Sequence, residues 1–583
     1  MTTFSHEANL PALPLPQCAS LRTILPELLT PLVGAATLHR SVQSLEQFLA
    51  TDGPILEQAL KEWQKQQPGN GSWLNALWEK DYLSFRQPLP VNMNYFVLLD
   101  ALWGFTLGGL LSSLAGVIQD LARQNLPPEM VRDSALSMHQ CRSMFYTRLP
   151  LPGCDSLHHV PVGGLLTAAV VCNGFWYILP LTDAAGHPFE AQKLEAALEA
   201  IQTTAESTPP PPSSLGAITT APREEAAALR ALLEQKECNR LSLAALENSA
   251  IVLCLDDDAE EENDSTSHCR NALCGPAANR WYDKSMQVIK PPHGPLGINF
   301  EHAGCDASAW CHVLSIATKN MQHPPDSPAV GQPQPRSLVW ELSDTVQKEL
   351  RRMEADYGKR VQGLDLCCTD PDTRFGKEAL KALKCSPDAF VQASLQHAQL
   401  EVFGTFVSCY EAFSMRHYAQ GRTECARPST LQAKTLAQAI RENLPAEVLR
   451  GLFSAAAEEH GRRLTLCRKG EAMERLVYGL KNMYALFGKE LGITEQPPFF
   501  TDPGLLALGR SRLSTSGLGV PFITHFGFGP VEQDGLGTGY MMRSGAVSLV
   551  VTGFKGTSPK PCDFAKAFVR SASIVAAALK GSG

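Results

Sequence analysis

The chain has 583 residues, of which 44% are hydrophobic and 19% are charged, and its formal net charge is −8. This length exceeds one ordinary hydrophobic core, and this composition excludes an intrinsically disordered protein. The negative net charge argues against nucleic acid as a partner, because such binding favours a basic face. An anionic small ligand remains possible, since a few local lysines are enough to bind a phosphate.

The 17 cysteines include no Cys-x-x-Cys pair and no Cys/His spacing typical of zinc, so we expect no metal site. They are typical of reduced thiols in a cytosolic or matrix protein. No apolar stretch follows a basic N-terminus, and the first arginine is Arg22, so neither a secretory signal nor a transit peptide is indicated. We therefore expect a cytoplasmic protein, with the mitochondrial matrix or the peroxisome as alternatives.

Helical spacing of apolar residues dominates from Leu21 to about residue 115. The uncharged stretch 101–118 is long enough for a membrane span, but its glycines and serines favour a buried helix, so we expect no transmembrane segment. Residues 160–182 are broken by prolines and contain Asn173-Gly174, a signal of a tight hairpin turn. That stretch predicts a pair of strands.

Farther along, 223–237 predicts a charged helix, 250–255 a buried strand, and 256–264 a solvent-exposed acidic loop rather than a metal site. Residues 322–336 are rich in Pro, Gly and Gln, and we place the main domain boundary there. The elements predicted beyond it are a long helix that begins near residue 338, helical segments at 375–402, 431–459 and 470–491, and strands within 520–551.

The segment from Gly297 to Asp306 carries the strongest signal of chemistry. It places His302 after a strand-like run and four residues before Asp306. A histidine can take and return a proton near neutral pH, and a carboxylate at this spacing can fix the imidazole or its loop. Taken alone, the pattern more often marks a packed or solvated histidine. Cys305 is an alternative nucleophile, although a buried cysteine is commonly only packed.

Further motifs accompany this segment along the chain. They are Leu-Pro-Ala-Leu-Pro at 10–14, Tyr-Leu-Ser-Phe-Arg-Gln-Pro-Leu at 82–89, Leu-Cys-Leu-Asp-Asp at 253–257, Asn-Arg-Trp-Tyr-Asp-Lys-Ser at 279–285, Ser-Pro-Asp at 386–388, Gly-Arg-Thr-Glu at 421–424, Ser-Thr-Ser at 514–516 and Phe-Gly-Pro-Val at 528–531. In this order they resemble the motifs of the carnitine/choline acyltransferase family, and the chain is identified as a member of that family.

The resemblance implies an α/β fold of two similar domains, each a mixed β-sheet flanked by helices, chloramphenicol acetyltransferase-like, with the active-site tunnel between them. We expect an N-terminal helical segment over 1–55 that packs with the second domain. A first α/β domain over 56–335 would carry the catalytic histidine, and a second over 336–583 would carry the substrate-binding residues. A monomer is expected.

The resemblance also implies roles for single residues. His302 would be the general base, and Ser516 would donate a hydrogen bond to the developing oxyanion. Asp306 would support the loop of His302, with Arg475 as its expected partner. The resemblance also implies that coenzyme A is bound through Lys377 and Lys381 at its 3′-phosphate and through Asp388 on its adenine side.

Carnitine carries a carboxylate and a quaternary ammonium group, and the resemblance assigns residues to both. Tyr410, Thr423 and Arg475 would bind the carboxylate, for which arginine offers a rigid fork of donors. Ser514 would be a further substrate contact, and Phe528 would lie against the trimethylammonium group. Glu474 and Leu476, which flank the arginine, depart from the Asp and His of the family pattern.

Phe526 stands where short-chain members of the family carry methionine and longer-chain members carry glycine, so its ring predicts a closed acyl pocket. The predicted function is reversible transfer of an acetyl-like group between coenzyme A and the carnitine hydroxyl, with no permanently bound cofactor. The alternatives are a choline O-acetyltransferase, a medium- or long-chain carnitine acyltransferase, and a non-catalytic acyl-CoA-binding protein. Thr423, Glu424 and Arg475 together favour carnitine over choline.

Overall fold

The computed structural model describes residues 2–68, 71–257, 264–321, 323 and 325–580. Its α-helices are α1 (Leu21–Leu29), α2 (Ala35–Ala50), α3 (Asp52–Lys65), α4 (Trp73–Leu83), α5 (Leu107–Ala122), α6 (Ala191–Glu206), α7 (Arg223–Leu233), α8 (Glu237–Glu247), α9 (Ser265–Cys274), α10 (Ala307–Asn320), α11 (Asp344–Gln362), α12 (Lys377–Ala382), α13 (Pro387–Phe403), α14 (Leu431–Arg441), α15 (Ala446–Lys469), α16 (Met473–Phe487), α17 (Pro503–Gly509) and α18 (Pro561–Lys580). Among the described residues, none of these helices combines the length and the apolar character needed to span a lipid bilayer.

The strands of the described residues are β1 (Tyr95–Leu99), β2 (Met130–Val131), β3 (Ser134–Ala135), β4 (Tyr146–Leu149), β5 (Ser156–His159), β6 (Thr167–Cys172), β7 (Phe175–Pro180), β8 (Ile251–Leu255), β9 (Met286–Lys290), β10 (Gly297–Phe300), β11 (Arg336–Ser337), β12 (Leu364–Cys368), β13 (Cys409–Ser414), β14 (Thr423–Cys425), β15 (Leu513–Leu518), β16 (Ile523–Phe528), β17 (Leu536–Met542) and β18 (Val547–Phe554). Most of them belong to two large sheets.

The chain divides into two compact units. The first comprises Met1–Glu7, Glu79–Leu364 and Val520–Gly529, and the second comprises Ala8–Trp78, Asp365–Gly519 and Pro530–Gly583. These bounds differ from the predicted boundaries after residues 55 and 335. Helices α1 to α3 belong to the second unit because their apolar faces join the core of α16 and α17. The segment with β16 joins the first unit because β16 pairs with β1.

The first unit contains an eight-stranded mixed sheet in the order β11-β7-β6-β8-β9-β10-β1-β16. Strands β6, β8 and β9 run parallel, whereas the other neighbours pair antiparallel. As predicted, β6 and β7 form a hairpin, and its turn residues Asn173 and Gly174 both have positive φ. Of the stretch 101–118 predicted as a buried helix, the part from Leu107 belongs to α5, which is almost wholly buried and is capped by Thr106. The part before it is not a buried helix, since Ala101–Trp103 form a short exposed 3₁₀ helix.

The second unit contains a six-stranded mixed sheet in the order β12-β18-β17-β15-β13-β14. Its central strands β13, β15 and β17 are parallel, β14 pairs antiparallel with β13, and β18 pairs antiparallel with β17. Helices α13, α14, α15 and α18 pack with this sheet in one hydrophobic core. Each unit is therefore a mixed β-sheet flanked by helices, which confirms the predicted α/β class.

Several local predictions need correction. The segment 223–237 is interrupted after Leu233, and α8 begins at Glu237. The helix expected near residue 338 begins only at Asp344, where Ser343 caps it. Of the predicted acidic loop, positions 258–263 lie outside the described residues.

The expectation that all cysteines are reduced thiols is wrong for one pair. Cys367 and Cys562 form a disulfide with a Cα–Cα distance of 5.1 Å, which is within the normal range for such a bond. They are 195 residues apart in sequence, so no local spacing indicates them. The fold brings them together because β12 pairs with β18 and α18 packs against the same strand.

Candidate active site

The loop that carries His302 joins β10 to α10 and is stabilised by buried hydrogen bonds. The Glu301 carboxylate accepts hydrogen bonds from Arg148 at 3.0 Å, from the Tyr146 hydroxyl at 2.6 Å and from the backbone N–H of Ala303 at 2.9 Å. The N–H of Gly304 donates to the Tyr146 hydroxyl, and a Cβ at Gly304 would lie only 2.6 Å from the Tyr146 ring. The loop can therefore take this path only with glycine at 304.

Arg148 belongs to a larger buried ionic network that includes two residues of the sequence motifs. Asp155 accepts from Arg148 and Arg223 at 2.7 Å each and from Arg86 at 2.9 Å, and Arg223 also binds Asp283. Burial alone would raise the pKa of Asp155, but the charges of Arg223 and Arg148 outweigh it and hold that pKa below its ordinary value. The motif residues Arg86 and Asp283 thus act as support for the loop of His302.

The imidazole of His302 is fixed by its Nδ1 atom and by two aromatic rings. Nδ1 lies 3.3 Å from the carbonyl oxygen of Cys305 and 3.8 Å from Oδ1 of Asp306. Because a carbonyl oxygen can only accept, this contact favours the tautomer with the proton on Nδ1. The rings of Tyr82 and Tyr95 lie edge-on, with centroids 5.3 Å and 5.0 Å from that of the imidazole. Nε2 then keeps its lone pair, as a base requires.

Asp306 has a partner that no sequence motif indicated. Gln140 donates to Oδ2 of Asp306 at 3.0 Å and accepts from the Asp306 backbone N–H at 2.7 Å. Asp306 occupies the N-cap position of α10, but its side chain makes no capping bond and faces His302 instead. The expected pairing of Asp306 with Arg475 stays a prediction. Cys305 is wholly buried, which fits a packed thiol.

Phe526 and Phe528 lie on one face of the first unit's sheet. The register between β1 and β16 pairs Val97 with Phe526 and Tyr95 with Phe528, and it is continuous through Gly527. The Phe526 ring is 3% exposed, and its centroid lies 6.1 Å from that of Tyr95 and 5.9 Å from that of Phe528. Tyr95 contacts both Phe526 and His302, so it links the residue predicted to limit acyl length to the predicted base.

Tyr410, Thr423 and Arg475 come together in the second unit, as the sequence predicts. Arg475 donates from Nη2 to the Tyr410 hydroxyl at 2.8 Å and to the Thr423 hydroxyl at 3.3 Å. Its Nε donates to the Thr423 carbonyl at 2.7 Å, and its guanidinium lies over the Trp78 ring at 4.2 Å. A buried cation beside two hydroxyl groups is suited to binding a carboxylate.

The two departures from the family pattern beside Arg475 have structural explanations. Glu474 forms a bidentate ion pair with the buried Arg427, at 2.6 Å and 3.1 Å. Leu476 is 1% exposed in the core shared by α16 and the N-terminal helices. Both substitutions are therefore accommodated without displacing the arginine between them.

Ser514 and Ser516 lie on β15, next to Tyr410. The parallel register pairs Tyr410 with Ser514, and alternate residues of a strand point to the same face. Tyr410, Ser514 and Ser516 therefore share one face of the second unit's sheet. Thr515 points to the other face, where its hydroxyl accepts from Gln392 at 3.2 Å.

Lys377 and Lys381 lie one turn apart on α12, and Asp388 lies in the first turn of α13. Burial and the nearby charge of Lys381 hold the pKa of Lys377 below its ordinary value. Within the described part of the chain, neither lysine forms an ion pair with a carboxylate. Two neighbouring cations of this kind are suited to a phosphate. The structure also groups Asp388 with Glu411 and His460, which no sequence motif indicated.

A family model described as "Choline/Carnitine o-acyltransferase" matches residues 13–570. The chain belongs to this family. Carnitine O-palmitoyltransferase 1, muscle isoform, from Homo sapiens is 28% identical, over 92% of this chain and 72% of the relative. Carnitine O-acetyltransferase from Mus musculus is 25% identical, over 94% of this chain and 90% of the relative. The protein is therefore an acyltransferase, and its relatives are named for both short and long acyl groups.

Among solved structures, the first condensation domain of the CDA synthetase is similar to this acyltransferase at 9% identity and a TM-score of 0.37. The match covers 87% of this chain and 94% of that domain. A likeness at this level carries no argument about the reaction.

Proposed function

We propose that the protein is a carnitine O-acyltransferase that moves an acetyl-like group reversibly between coenzyme A and the carnitine hydroxyl. The observation that carries this proposal is the contact of Arg475 with the hydroxyls of Tyr410 and Thr423. Carnitine has a carboxylate and choline has none, so a buried guanidinium beside two hydroxyl groups favours carnitine. In a choline site this guanidinium would have no carboxylate of the substrate to bind.

His302 is the proposed general base. Its Nε2 takes the proton of the carnitine hydroxyl while the hydroxyl oxygen bonds to the acyl carbon. When the tetrahedral intermediate collapses, the carbon–sulfur bond breaks and the same proton passes to the thiolate of coenzyme A. The contact of Nδ1 with the Cys305 carbonyl supports this role, because it favours the neutral tautomer with the proton on Nδ1, in which Nε2 carries the lone pair that a base needs.

The remaining roles follow the predicted assignments. Ser516 donates to the oxyanion of the tetrahedral intermediate, and Ser514 contacts the substrate. Phe528 lies against the trimethylammonium group. Coenzyme A is a cosubstrate rather than a resident cofactor, held by Lys377 and Lys381 at a phosphate and by Asp388 at the adenine. The proposed chemistry uses no metal ion.

The proposed acyl group is short because Phe526 is buried against Tyr95, beside the base. A longer acyl chain would need the space that this ring fills. The named palmitoyltransferase relatives favour the alternative of a longer chain, and a direct comparison of acyl-CoA lengths decides between them. We also propose that the protein is a monomer in the cytoplasm. One relative supports the mitochondrial alternative. It is named putative mitochondrial carnitine O-acetyltransferase, from Saccharomyces cerevisiae (strain ATCC 204508 / S288c), and is 28% identical over 76% of this chain and 72% of the relative.

The test is the release of coenzyme A thiol from acetyl-CoA, measured in parallel with carnitine, with choline and with no acceptor. We expect rapid release that depends on carnitine, with choline close to the blank. A clear preference for choline would replace carnitine as the substrate. If release with carnitine and with choline is no faster than with no acceptor, and the protein still binds coenzyme A in a calorimetric titration, the non-catalytic alternative is indicated.

A further inference from the structure

Three titratable side chains from three elements meet in the second unit. Asp388 lies at the start of α13, Glu411 on β13 and His460 on α15. Nε2 of His460 lies 2.9 Å from Oδ2 of Asp388 and 3.8 Å from Oε2 of Glu411. His460 and Glu411 are buried, whereas 39% of the Asp388 side chain is exposed. The group is therefore closed on the inside and open to solvent only at Asp388.

The Asp388 carboxylate is held in one orientation by two donors. His460 donates to Oδ2 at 2.9 Å, and the Tyr540 hydroxyl donates to Oδ1 at 3.0 Å. Its backbone is fixed as well, because Pro387 precedes it in the first turn of α13 and Ser386 caps that helix. Because both oxygens of this half-exposed carboxylate are fixed by donors on the buried side, its exposed side has a defined orientation toward a ligand.

Glu411 completes the group with an oxygen atom that has no hydrogen-bond partner among the described residues. This atom is Oε2, and it is buried. Burial and the charge of Asp388 raise the pKa of Glu411 to about 8. Burial lowers the pKa of His460, but the two carboxylates outweigh this effect and raise it to about 9. Below about pH 8 the group therefore places the Asp388 carboxylate beside a protonated Glu411 carboxyl.

The other titratable groups that face this cluster stay neutral. Burial raises the pKa of Tyr540 on β17 well above its ordinary value, and it also raises the pKa of the Cys467 thiol on α15. From α13, the neutral amide of Gln392 lies near Tyr540, at 3.4 Å from its hydroxyl. As the pH rises, Glu411 is thus the first group of the cluster to ionise, near pH 8, and His460 loses its proton only later, near pH 9.

A hydrogen-bonded group fits these distances better than a metal site. Two ligands of a tetrahedral zinc ion, each about 2.0 Å from the metal, would lie about 3.3 Å apart. The 2.9 Å between His460 and Asp388 is shorter than this and is a normal length for a charge-assisted hydrogen bond. The proton on Nε2 that makes this bond also prevents the atom from binding a metal.

We propose that His460 is a positioning residue for coenzyme A, which holds Asp388 in the orientation that contacts the adenine, and that Glu411 must stay protonated for this contact to last. The inference rests on the proposed function, in which Asp388 contacts coenzyme A. A carboxylate can only accept, so its partner on the ligand is a donor, and the adenine amino group is one. His460 itself does not touch the ligand.

A dependence on pH follows from this arrangement. When Glu411 ionises, its carboxylate competes with Asp388 for the single Nε2 proton of His460. The ionised Glu411 also adds a negative charge behind a site for an anionic ligand. Both effects weaken binding of acyl-CoA above about pH 8 and leave the binding of carnitine by Arg475 unaffected, because Glu411 and Tyr410 are consecutive on β13 and point to opposite faces.

The experiment compares wild type, Glu411→Gln and His460→Gln in steady-state transfer from acetyl-CoA to carnitine between pH 6.5 and 9.5. Acetyl-CoA has no free thiol, so the ligand does not add a thiol titration. In wild type, the KM for acetyl-CoA should rise about tenfold between pH 7 and 9, and in Glu411→Gln, which cannot ionise, this rise should disappear. In His460→Gln, that KM should already be raised about tenfold at pH 7, with the KM for carnitine within about twofold of wild type.

The result that overturns the inference is a Glu411→Gln variant with the wild-type pH profile, or a His460→Gln variant that changes both KM values alike. If His460→Gln does not fold, the Glu411→Gln profile still decides. Loss of acetyl-CoA affinity in wild type after treatment with a chelator would indicate a metal site and would also overturn it. A wild-type protein that binds no coenzyme A in a calorimetric titration would instead refute the proposed function, and the inference with it.

Discussion

Gln140 and Asp306 hold each other by two reciprocal hydrogen bonds across 166 positions of sequence. The amide group of Gln140 donates to Oδ2 and accepts from the backbone N–H of Asp306, so the carboxylate cannot rotate freely. Its other oxygen, Oδ1, is thereby directed toward Nδ1 of His302, at 3.8 Å. The orientation of the predicted base thus depends on a buried glutamine in another part of the first unit.

Replacing Gln140 by Leu should lower kcat about tenfold, because two hydrogen bonds to the buried Asp306 are lost and each costs about 1–3 kcal/mol. The KM for carnitine should change little, since no residue predicted to bind it is altered. Steady-state transfer from acetyl-CoA measures both. Gln119→Leu is the matched control, because Gln119 is another buried amide of the same unit, bonded to the Gly164 carbonyl. Equal losses in the two variants would mean that Gln140 only stabilises the fold.

Replacing His302 by Ala should abolish transfer, because the loss of a general base costs about 10²–10⁴-fold in rate. Binding of coenzyme A, followed by calorimetry, should persist. His187→Ala serves as control, since this histidine is 43% exposed and pairs with Asp183. A His302→Ala protein with more than about a tenth of wild-type kcat would remove His302 from the mechanism.

Replacing Arg475 by Gln should raise the KM for carnitine far more than the KM for acetyl-CoA. A lost charge-assisted hydrogen bond is worth about 1.5–3 kcal/mol, which corresponds to an increase of roughly 10–150-fold. Initial rates at varied carnitine and fixed acetyl-CoA, and the reverse, separate the two effects. Turnover of choline relative to carnitine should improve. An unchanged carnitine KM would contradict the role of this arginine.

Much of this architecture could be predicted from local sequence. The Asn173-Gly174 turn, the buried strand β8 and the strand that leads to His302 all depend on neighbours in sequence. These features carry their own signals in turn chemistry and apolar runs. The meeting of Tyr410 and Thr423 at Arg475 was anticipated only through the resemblance to the family, and the direct pairing of β13 with β14 helps to bring the first two together.

Other features depend on tertiary packing and have no local signal. Gln140 lies in a short 3₁₀ helix, His139–Arg142, and acquires its role only because Asp306 is brought to it. His460 is one of many polar residues on the long helix α15, and its position toward Asp388 is set by how that helix packs. The placement of β16 beside β1 likewise moved a segment near the C-terminus into the first unit. No spacing in the sequence encodes these long-range pairings.

Lys284, from the Asn-Arg-Trp-Tyr-Asp-Lys-Ser motif, should give the protein a pH-dependent stability. It is wholly buried and donates to the Thr147 hydroxyl at 2.8 Å and to the Glu247 carbonyl at 3.0 Å. Burial lowers its pKa from 10.5 to about 7. Between these values the unfolded chain binds a proton that the folded protein does not, so this residue makes the free energy of unfolding rise with pH by about 1.4 kcal/mol per unit.

The measurement is the urea midpoint of wild type and Lys284→Met at pH 7, 8 and 9. Methionine does not titrate, and the contributions of all other groups cancel in the difference between the two proteins. The stability of wild type relative to the variant should therefore increase at each step. A difference that stays constant over this range would show that Lys284 remains protonated in the folded protein.

The length of the acyl group is tested at Phe526. Its buried ring lies against Tyr95, beside the predicted base, so wild type should use acetyl-CoA well and palmitoyl-CoA poorly. In Phe526→Gly the vacated space should accept a longer chain, and each methylene buried there adds about 0.8 kcal/mol of binding. The ratio of kcat/KM for octanoyl-CoA to that for acetyl-CoA should therefore rise by at least about tenfold. Phe526→Met, which keeps a bulky side chain, should retain the acetyl preference. Good turnover of palmitoyl-CoA by wild type would show that the ring does not limit chain length.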